Sequence, residues 1–387
     1  MRFLHTADWH LGRLFHGRSL LEDQAHLLNQ FVELVGSERP DAVLIAGDVY
    51  DRAVPPAEAV NLLDDTLSRI VLGLQVPVVM IAGNHDSADR LGFGARLLAA
   101  GGLHIAGRPG EAGEGLRLRD AWGEVCIQAL PYAEPALVRD LLGQAVADHD
   151  AAIAAMLGWM RERGGWGERN VLVAHAFVAG GTESESERPL SVGGSGAVPV
   201  SHFERFDYVA LGHLHRAQQV GSARVQYAGS LMKYSLSEAG HAKSVTRVEL
   251  GAPGAGLLSC ERLSLSPMRD LRCLRGTLAG LVEAGRQDAA RDDYVFAQLT
   301  DDGALLEPMA RLREVYPNIL GCEREVLARS GAGGVAALRR QLDMRTLFGE
   351  FHREVVGETL DEAALQALDQ VLEAMAQDAR EAGRAEA

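Results

Sequence analysis

The first 130 residues alternate short apolar runs with longer segments whose apolar positions recur at helical spacing, and few folds satisfy that alternation. The runs are residues 2–5, 42–46 and 78–82; the helical pattern covers residues 20–35 and 57–72. A run such as Val78-Val79-Met80-Ile81-Ala82 has no polar alternation, so a strand built from it is buried on both faces. Strands of that kind separated by helices predict an α/β fold, a sheet with helices on its faces. Runs at 171–174 and 208–211 extend the pattern, and two shorter runs around Gly221 predict a hairpin. At 387 residues the chain is too long for one ordinary core and suits two or three units.

The residues just past these runs share one chemistry. Asp8 and His10 follow the first, Asp48 the second and Asn84 the third; His175 ends the fourth, and His213 and His215 follow the fifth. A small residue precedes each group (Ala7, Gly47, Gly83, Ala174 or Gly212), which lets the backbone leave the strand and approach an ion or phosphate closely. Carboxyl ends of strands are where sites assemble in α/β sheets. In extended backbone, residues two apart point the same way, so Asp8-Trp9-His10 and His213-Leu214-His215 each offer two groups to one metal. Singly each motif is weak, but core packing does not explain five strand ends that all carry such groups.

Two carboxylates, one amide oxygen and four imidazoles, with no thiolate, suit manganese, iron or zinc. Seven ligands exceed one tetrahedral site and suit two divalent ions, about 3.5–4 Å apart in such centres. Asp48 is the natural bridge, with Asp8, His10 and His215 on one ion and Asn84, His175 and His213 on the other. Such a centre suits phosphoester hydrolysis. His85 adjoins Asn84 without being a ligand, which places it to stabilise the phosphoryl group or protonate the leaving oxygen. Asp51 is expected to orient His85 and keep it charged.

Composition narrows the setting. No apolar run reaches the length of a membrane span, and the residues before Asp8 are too few and too polar for a signal peptide. The four cysteines are widely spaced and form no paired zinc pattern, so a reduced, cytoplasmic protein is expected. A net charge of −15 argues against a generally basic nucleic-acid binder, although two bound cations would offset part of it locally. The basic residues are almost all arginine. The only lysines, Lys233 and Lys243, fall in one short window and hint at a place that wants a compact ammonium.

Farther along, residues 180–199 are rich in glycine and serine and read as a loop. Pro267 marks a boundary between a first domain, residues 1–266, and a small α+β unit, residues 267–325, whose clearest strand is 293–299. A linker at 326–345 leads to a terminal segment, 346–387, in which Leu347, Phe348, Phe351 and Val355 make one apolar stripe. Thr359 with Glu362 gives a capping-box start, and Leu365, Leu368, Leu372 and Met375 recur at helical spacing. Two helices sharing an apolar face after a linker suit docking to another protein.

These motifs resemble the calcineurin-like metallophosphoesterase superfamily. Leu4-His5-Thr6-Ala7-Asp8-Trp9-His10-Leu11-Gly12-Arg13 is similar, more narrowly, to its SbcD-type nuclease family, as is Tyr227-Ala228-Gly229-Ser230-Leu231 running into Lys233-Tyr234-Ser235. Leu347-Phe348-Gly349-Glu350-Phe351 is similar to that family's C-terminal segment. The resemblance covers nearly the whole chain, most strongly residues 1–245. It implies a two-layer β-sandwich flanked by helices, then a capping domain, then helices that bind the coiled-coil base of an SbcC-type ATPase. It also implies a homodimer and manganese-dependent exonuclease and endonuclease action on DNA ends and hairpins. The family's metal ligands fall on the seven residues above and its catalytic histidine on His85; Arg13 and Arg18 are candidates for phosphate contacts. Two alternatives compete with this reading: a phosphatase or small-molecule phosphodiesterase with the same centre, and a non-catalytic scaffold. The segment after 267 and the apolar tail favour the nuclease over the first, and the completeness of the ligand set disfavours the second.

Overall fold

The computed structural model describes residues 1–111, 115–163, 166–188, 196–302, 305–324, and 364, 365, 367 and 368. They form two compact units: Met1–Cys273 with Asp292–Val295, and Leu274–Arg291 with Phe296 onward.

In the first unit, β1 (Arg2–Thr6) leads through a two-stranded hairpin, β2 (Leu14–Phe15) and β3 (Arg18–Ser19), to helix α1 (Leu21–Glu38). Next come β4 (Ala42–Ile45), α2 (Ala57–Ser68) with a wider π-turn at Arg69–Gly73, and β5 (Val78–Ile81). Two single-turn helices, α3 (Ala88–Leu91) and α4 (Ala95–Leu98), precede β6 (Leu103–Ala106). Strands β7 (Leu116–Asp120) and β8 (Gly123–Leu130) form an antiparallel pair, followed by α5 (Pro135–Leu142), α6 (His149–Glu162) and β9 (Asn170–His175). The unit continues with β10 (Tyr208–Gly212), β11 (Gln218–Val220), β12 (Ser222–Tyr227), β13 (Ser244–Leu250) and β14 (Leu257–Ser264).

The strands build two six-stranded sheets, ordered β14-β13-β1-β4-β5-β6 and β11-β12-β10-β9-β8-β7. Each has a parallel centre: β1, β4, β5 and β6 in the first, β8, β9, β10 and β12 in the second. The runs read from sequence as buried strands are these central strands, and the Gly221 turn joins β11 to β12 as expected. The sheets face each other: Phe3, Leu44, Val79 and Ile81 pack in one core with Ile127, Val171, Val173 and Ala210. Strands covered on both faces lose no polar side chain to the interior, which is why their sequences are continuously apolar. On the outer faces, α1 buries Leu27, Leu28, Phe31, Val32 and Val35, and α6 buries Ala152, Ile153, Met156 and Met160. Helix α6 begins where the Asp148 carboxylate accepts the Ala151 N–H at 2.9 Å, an N-cap.

His5 pins the sheets together. From β1 it meets Tyr208 Oη at 2.9 Å and the Leu211 carbonyl at 3.1 Å, both on β10. Burial pushes its pKa down to about 3, so it is a satisfied, neutral core residue. This crossing brings the carboxyl ends of β1, β4 and β5 beside those of β9 and β10.

The second unit contains α7 (Leu278–Gly285), α8 (Pro308–Arg313), β17 (Ile319–Arg324), half of β15 (Leu271–Gly276) and most of β16 (Tyr294–Leu299), in a sheet ordered β15-β16-β17. Thr277 caps α7 through the Gly280 N–H. Residues 364, 365, 367 and 368 are helical. The linker at 326–345, the stripe from Leu347 to Val355, the cap at Thr359 and the positions Leu372 and Met375 lie outside the described residues.

Candidate metal centre

All seven candidate ligands meet where the two sheets' strand ends converge. Asp8 and His10 follow β1, Asp48 follows β4, Asn84 follows β5, His175 ends β9, and His213 and His215 follow β10. All are buried except Asn84, which is partly exposed.

The local backbone differs from the extended geometry expected at Asp8-Trp9-His10 and His213-Leu214-His215. Asp8, His10 and Asp48 have φ of 52°, 45° and 48°, and His213 has 106°. Left-handed backbone is uncommon for residues with a Cβ, and such strain concentrates at functional sites. Pairing between loops enforces it here. Asp8 N–H donates to Gly47 O, His10 N–H to Asp48 O and Leu11 N–H to Val49 O, at 2.9–3.0 Å. The ligands therefore share a site because their loops are zipped together.

The small residues preceding them have a steric cause. A Cβ at Gly83 would overlap Asp48 Oδ1, one at Gly47 would overlap His175 Nδ1, and one at Gly212 would overlap the Ala46 carbonyl. Gly47 also has φ of 90°, so it meets both requirements.

Two clusters flank Asp48. On one side His10 Nε2 and His215 Nε2 lie 3.0 Å apart, and Asp8 joins them within reach of a common ion. On the other, Asn84 Oδ1 lies 2.9 Å from His175 Nε2 and 3.2 Å from His213 Nδ1. Asp48 Oδ2 stands 3.6 Å from His175 Nε2, 3.8 Å from His10 Nε2 and 4.0 Å from His85 Nε2. Those gaps are too long for hydrogen bonds.

Divalent ions fit this arrangement. Two imidazole nitrogens 3.0 Å apart have the spacing of neighbouring ligands on one ion, with bonds of about 2.1 Å near a right angle. His10 Nδ1, on the far side of that ring, makes no hydrogen bond among the described residues and has Asp51 Oδ1 3.6 Å away. Burial, reinforced by the Asp48 carboxylate, pushes Asp8 well above the usual carboxylate range, and burial raises Asp48 to about 6. Burial and neighbouring imidazoles push His10 and His213 down, and burial takes His175 and His215 to about 4. Burial thus favours neutral imidazoles, whose ring nitrogens can offer lone pairs, while the two carboxylates crowd together in the same buried place. Cations between them relieve both penalties. His175 is also preset: Nδ1–H donates to the Ala46 carbonyl at 2.9 Å, leaving Nε2 as the free donor atom.

His85 and Asp51 lie at the same place, with one difference from expectation. His85 Nδ1 donates to the main-chain oxygen of Asp51 at 2.8 Å, while the Asp51 carboxylate accepts from Arg13 Nη1 at 3.0 Å. The ring is therefore oriented by a carbonyl and not by a carboxylate. The Arg13 guanidinium also stacks 4.9 Å from the Tyr234 ring centroid.

Supporting residues went unread in the sequence. Asp86 accepts from the N–H groups of Gly83, Val49 and Tyr50 at 2.9–3.1 Å, clamping the Asp48 and Asn84 loops together. Its position two residues after Asn84 was the available signal. Gln24 on α1 donates to the Trp9 and His10 carbonyls at 3.1 and 2.8 Å, and Tyr234 Oη also reaches Trp9 O. Nothing local marks Gln24, and Tyr234 stood out only within the Lys233-Tyr234-Ser235 motif.

The calcineurin-like phosphoesterase family matches residues 1–217, and the family described as the type 5 capsule protein repressor C-terminal domain matches 267–356. The SbcD subunit of nuclease SbcCD from Staphylococcus saprophyticus is 31% identical over 380 residues, covering 98% of this chain and 99% of that one. Among solved structures, a dimetal phosphatase from Danio rerio is 14% identical over 69% of this chain and 99% of its own, with a TM-score of 0.39. TT1561 of Thermus thermophilus is 14% identical over 67% and 98%, with a TM-score of 0.38. A first unit matched from residue 1 to 217, all seven candidate ligands included, and a relative aligned end to end leave one assignment: this chain belongs to the SbcD family of calcineurin-like phosphoesterases, which are hydrolases.

Proposed function

We propose that this chain is the nuclease subunit of an SbcCD-type complex, a metal-dependent DNA exonuclease and endonuclease that processes duplex ends and hairpins with an SbcC-type ATPase. The observation that carries the reading is the convergence on Asp48 of two ligand clusters, in a chain aligned end to end with a protein named as such a subunit. Asp8, His10 and His215 would hold one divalent ion and Asn84, His175 and His213 the other, with Asp48 between the two clusters. Such ions, most suitably manganese given this nitrogen and oxygen donor set, would supply Lewis acidity towards the phosphate and activate water at neutral pH.

The chain's own groups do the rest. His85, with Nδ1–H committed to Asp51 O, has Nε2 turned to the centre, 4.0 Å from Asp48 Oδ2. From there it can hold a proton against a phosphoryl oxygen or deliver one to the leaving 3′ or 5′ oxygen. Arg13, held by the Asp51 carboxylate, would serve as a phosphate contact.

The remaining assignments extend this reading. The division at 266/267, with a capping domain to 325 and a docking segment at 346–387, accords with a second family match that begins at residue 267. A homodimer is supported by apolar side chains exposed around α2, α3 and α4: Leu72 at 72%, Phe93 at 85% and Leu97 at 84%. No helix among the described residues is long and apolar enough to cross a membrane; we assign the protein to the cytoplasm, at the nucleoid when acting on DNA.

The test is nucleotide release from linear duplex DNA with manganese. Wild-type protein should degrade it and Asp48→Ala and His85→Gln should not. A wild-type chain inert on DNA, both alone and with its ATPase partner, overturns the proposal.

A further inference from the structure

His215 is gripped at three points by residues that the metal centre itself does not require. Its N–H donates to Glu187 Oε1 at 2.7 Å. Its carbonyl accepts from Lys243 Nζ at 2.8 Å. Its Nδ1 lies 2.6 Å from Ser186 Oγ. Behind them stands Glu238, fully buried, with no solvent to share its charge.

Proton counting fixes the direction of this chain of bonds. Glu238 Oε2 is 2.5 Å from Lys243 Nζ. Among the described residues its Oε1 is hydrogen-bonded by donors, the Tyr234 N–H at 3.1 Å, Ser235 Oγ at 3.0 Å and Ser186 Oγ at 2.5 Å, and His215 Nδ1 stands farther off at 3.6 Å. A carboxyl surrounded by donors and paired with an ammonium is an acceptor at every position. The single Ser186 hydroxyl proton therefore goes to Glu238. Ser186 Oγ can then only accept from His215, so Nδ1 carries the proton and Nε2, facing His10 Nε2, carries the lone pair.

Lys243 completes the arrangement. Its three N–H donors are all used, on His215 O, Ser230 Oγ and Glu238 Oε2, at 2.8, 2.8 and 2.5 Å. A tripod of acceptors suits an ammonium and not a planar guanidinium, which explains a buried lysine in a chain whose other cations are nearly all arginine.

We infer that Glu238, acting through Ser186 and neutralised by Lys243, is a positioning residue that locks His215 in the Nδ1–H form and so presets its Nε2 as a metal ligand. The inference rests on the metal-centre reading above. Its role parallels the carboxylates that back metal-bound histidines elsewhere, with a serine inserted between the two groups.

Two measurements on the full-length chain test it. Imidazole 15N–1H correlation spectra of metal-free protein report the tautomer directly. Wild-type His215 should show Nδ1–H, and Ser186→Ala and Glu238→Gln should shift it to a mixture or to Nε2–H. Calorimetric titration with manganese should show two sites in the wild type, with one weakened about 10–100-fold in both variants and the other unchanged. Lys243→Met strands a buried carboxylate and risks misfolding; Ser186, partly exposed, gives the folded variant that keeps the test decisive. An Nε2–H tautomer in the wild type, or unchanged tautomer and manganese affinities in folded Ser186→Ala and Glu238→Gln, overturns the inference. Absence of manganese binding to the wild type would instead count against the metal-centre reading.

Discussion

The His85 imidazole donates to the main-chain oxygen of Asp51, 2.8 Å away, and the Asp51 carboxylate faces Arg13 instead. Changing the Asp51 side chain therefore leaves the bond that orients His85. Asp51→Asn should retain activity within about tenfold of wild type, whereas His85→Gln, which removes the proton carrier, should lose about 10²–10⁴-fold. Nuclease rates at saturating manganese compare the two. Equal losses would mean that the carboxylate acts on His85 after all.

At the opposite end of the second sheet, Arg169 donates to both Asp120 oxygens at 2.6 and 2.8 Å and to the carbonyls of Gly123 and Gly251. The bonds from Arg169 hold the Asp120 carboxyl well below the usual carboxylate range. A depressed folded-state pKa gives stability that is fully present above the unfolded value, about 3.9, and is lost as pH falls towards the folded one. Asp120→Asn should cost about 3–5 kcal/mol at pH 7, since Arg169 is buried and loses its partner. The gap in urea midpoint between wild type and variant should hold down to about pH 5 and narrow below about pH 4. A gap that stays constant to about pH 3 would show that the ion pair is not its source.

How far the sequence could be read depended on how local each cause is. The central parallel strands were legible because burial on both faces leaves an uninterrupted apolar run. The ligands were legible because each follows such a run directly. Strand β7 was not singled out: its residues alternate between half-buried and exposed, so it mixes charged with apolar residues. The left-handed turns at Asp8, His10 and Asp48 were also hidden, since they arise from hydrogen bonds between loops far apart in the chain. So was the role of Glu238, which meets Ser186 across 52 positions. The lysine pair gave a faint signal, and only Lys243 of the two touches a candidate ligand.

The terminal segment carries a separate expectation. If residues 346–387 dock the ATPase partner, deleting them should abolish co-purification with an SbcC-type ATPase and leave both manganese sites intact, because every candidate ligand lies at or before His215. Calorimetry and pull-down on the same truncated protein check both halves. Retained association would move the docking surface elsewhere.

The face formed by α2, α3 and α4 suits a second copy of the chain. Val60 and Leu72 flank an apolar cleft of about 450 Å³ whose other wall includes Phe93, Leu97 and Leu98. A monomer rarely leaves side chains as large as Phe93 and Leu97 together in water. A two-fold dimer would bring each copy's exposed residues onto the other's cleft, since a two-fold contact uses the same patch twice. Phe93→Glu with Leu97→Glu puts like charges at that contact and should give a monomer by light scattering. Both positions are exposed, so the melting temperature of the monomer's own core should change little. Both manganese sites should survive, because neither residue lies among the candidate ligands. A double variant that remains dimeric would rule this face out as the interface.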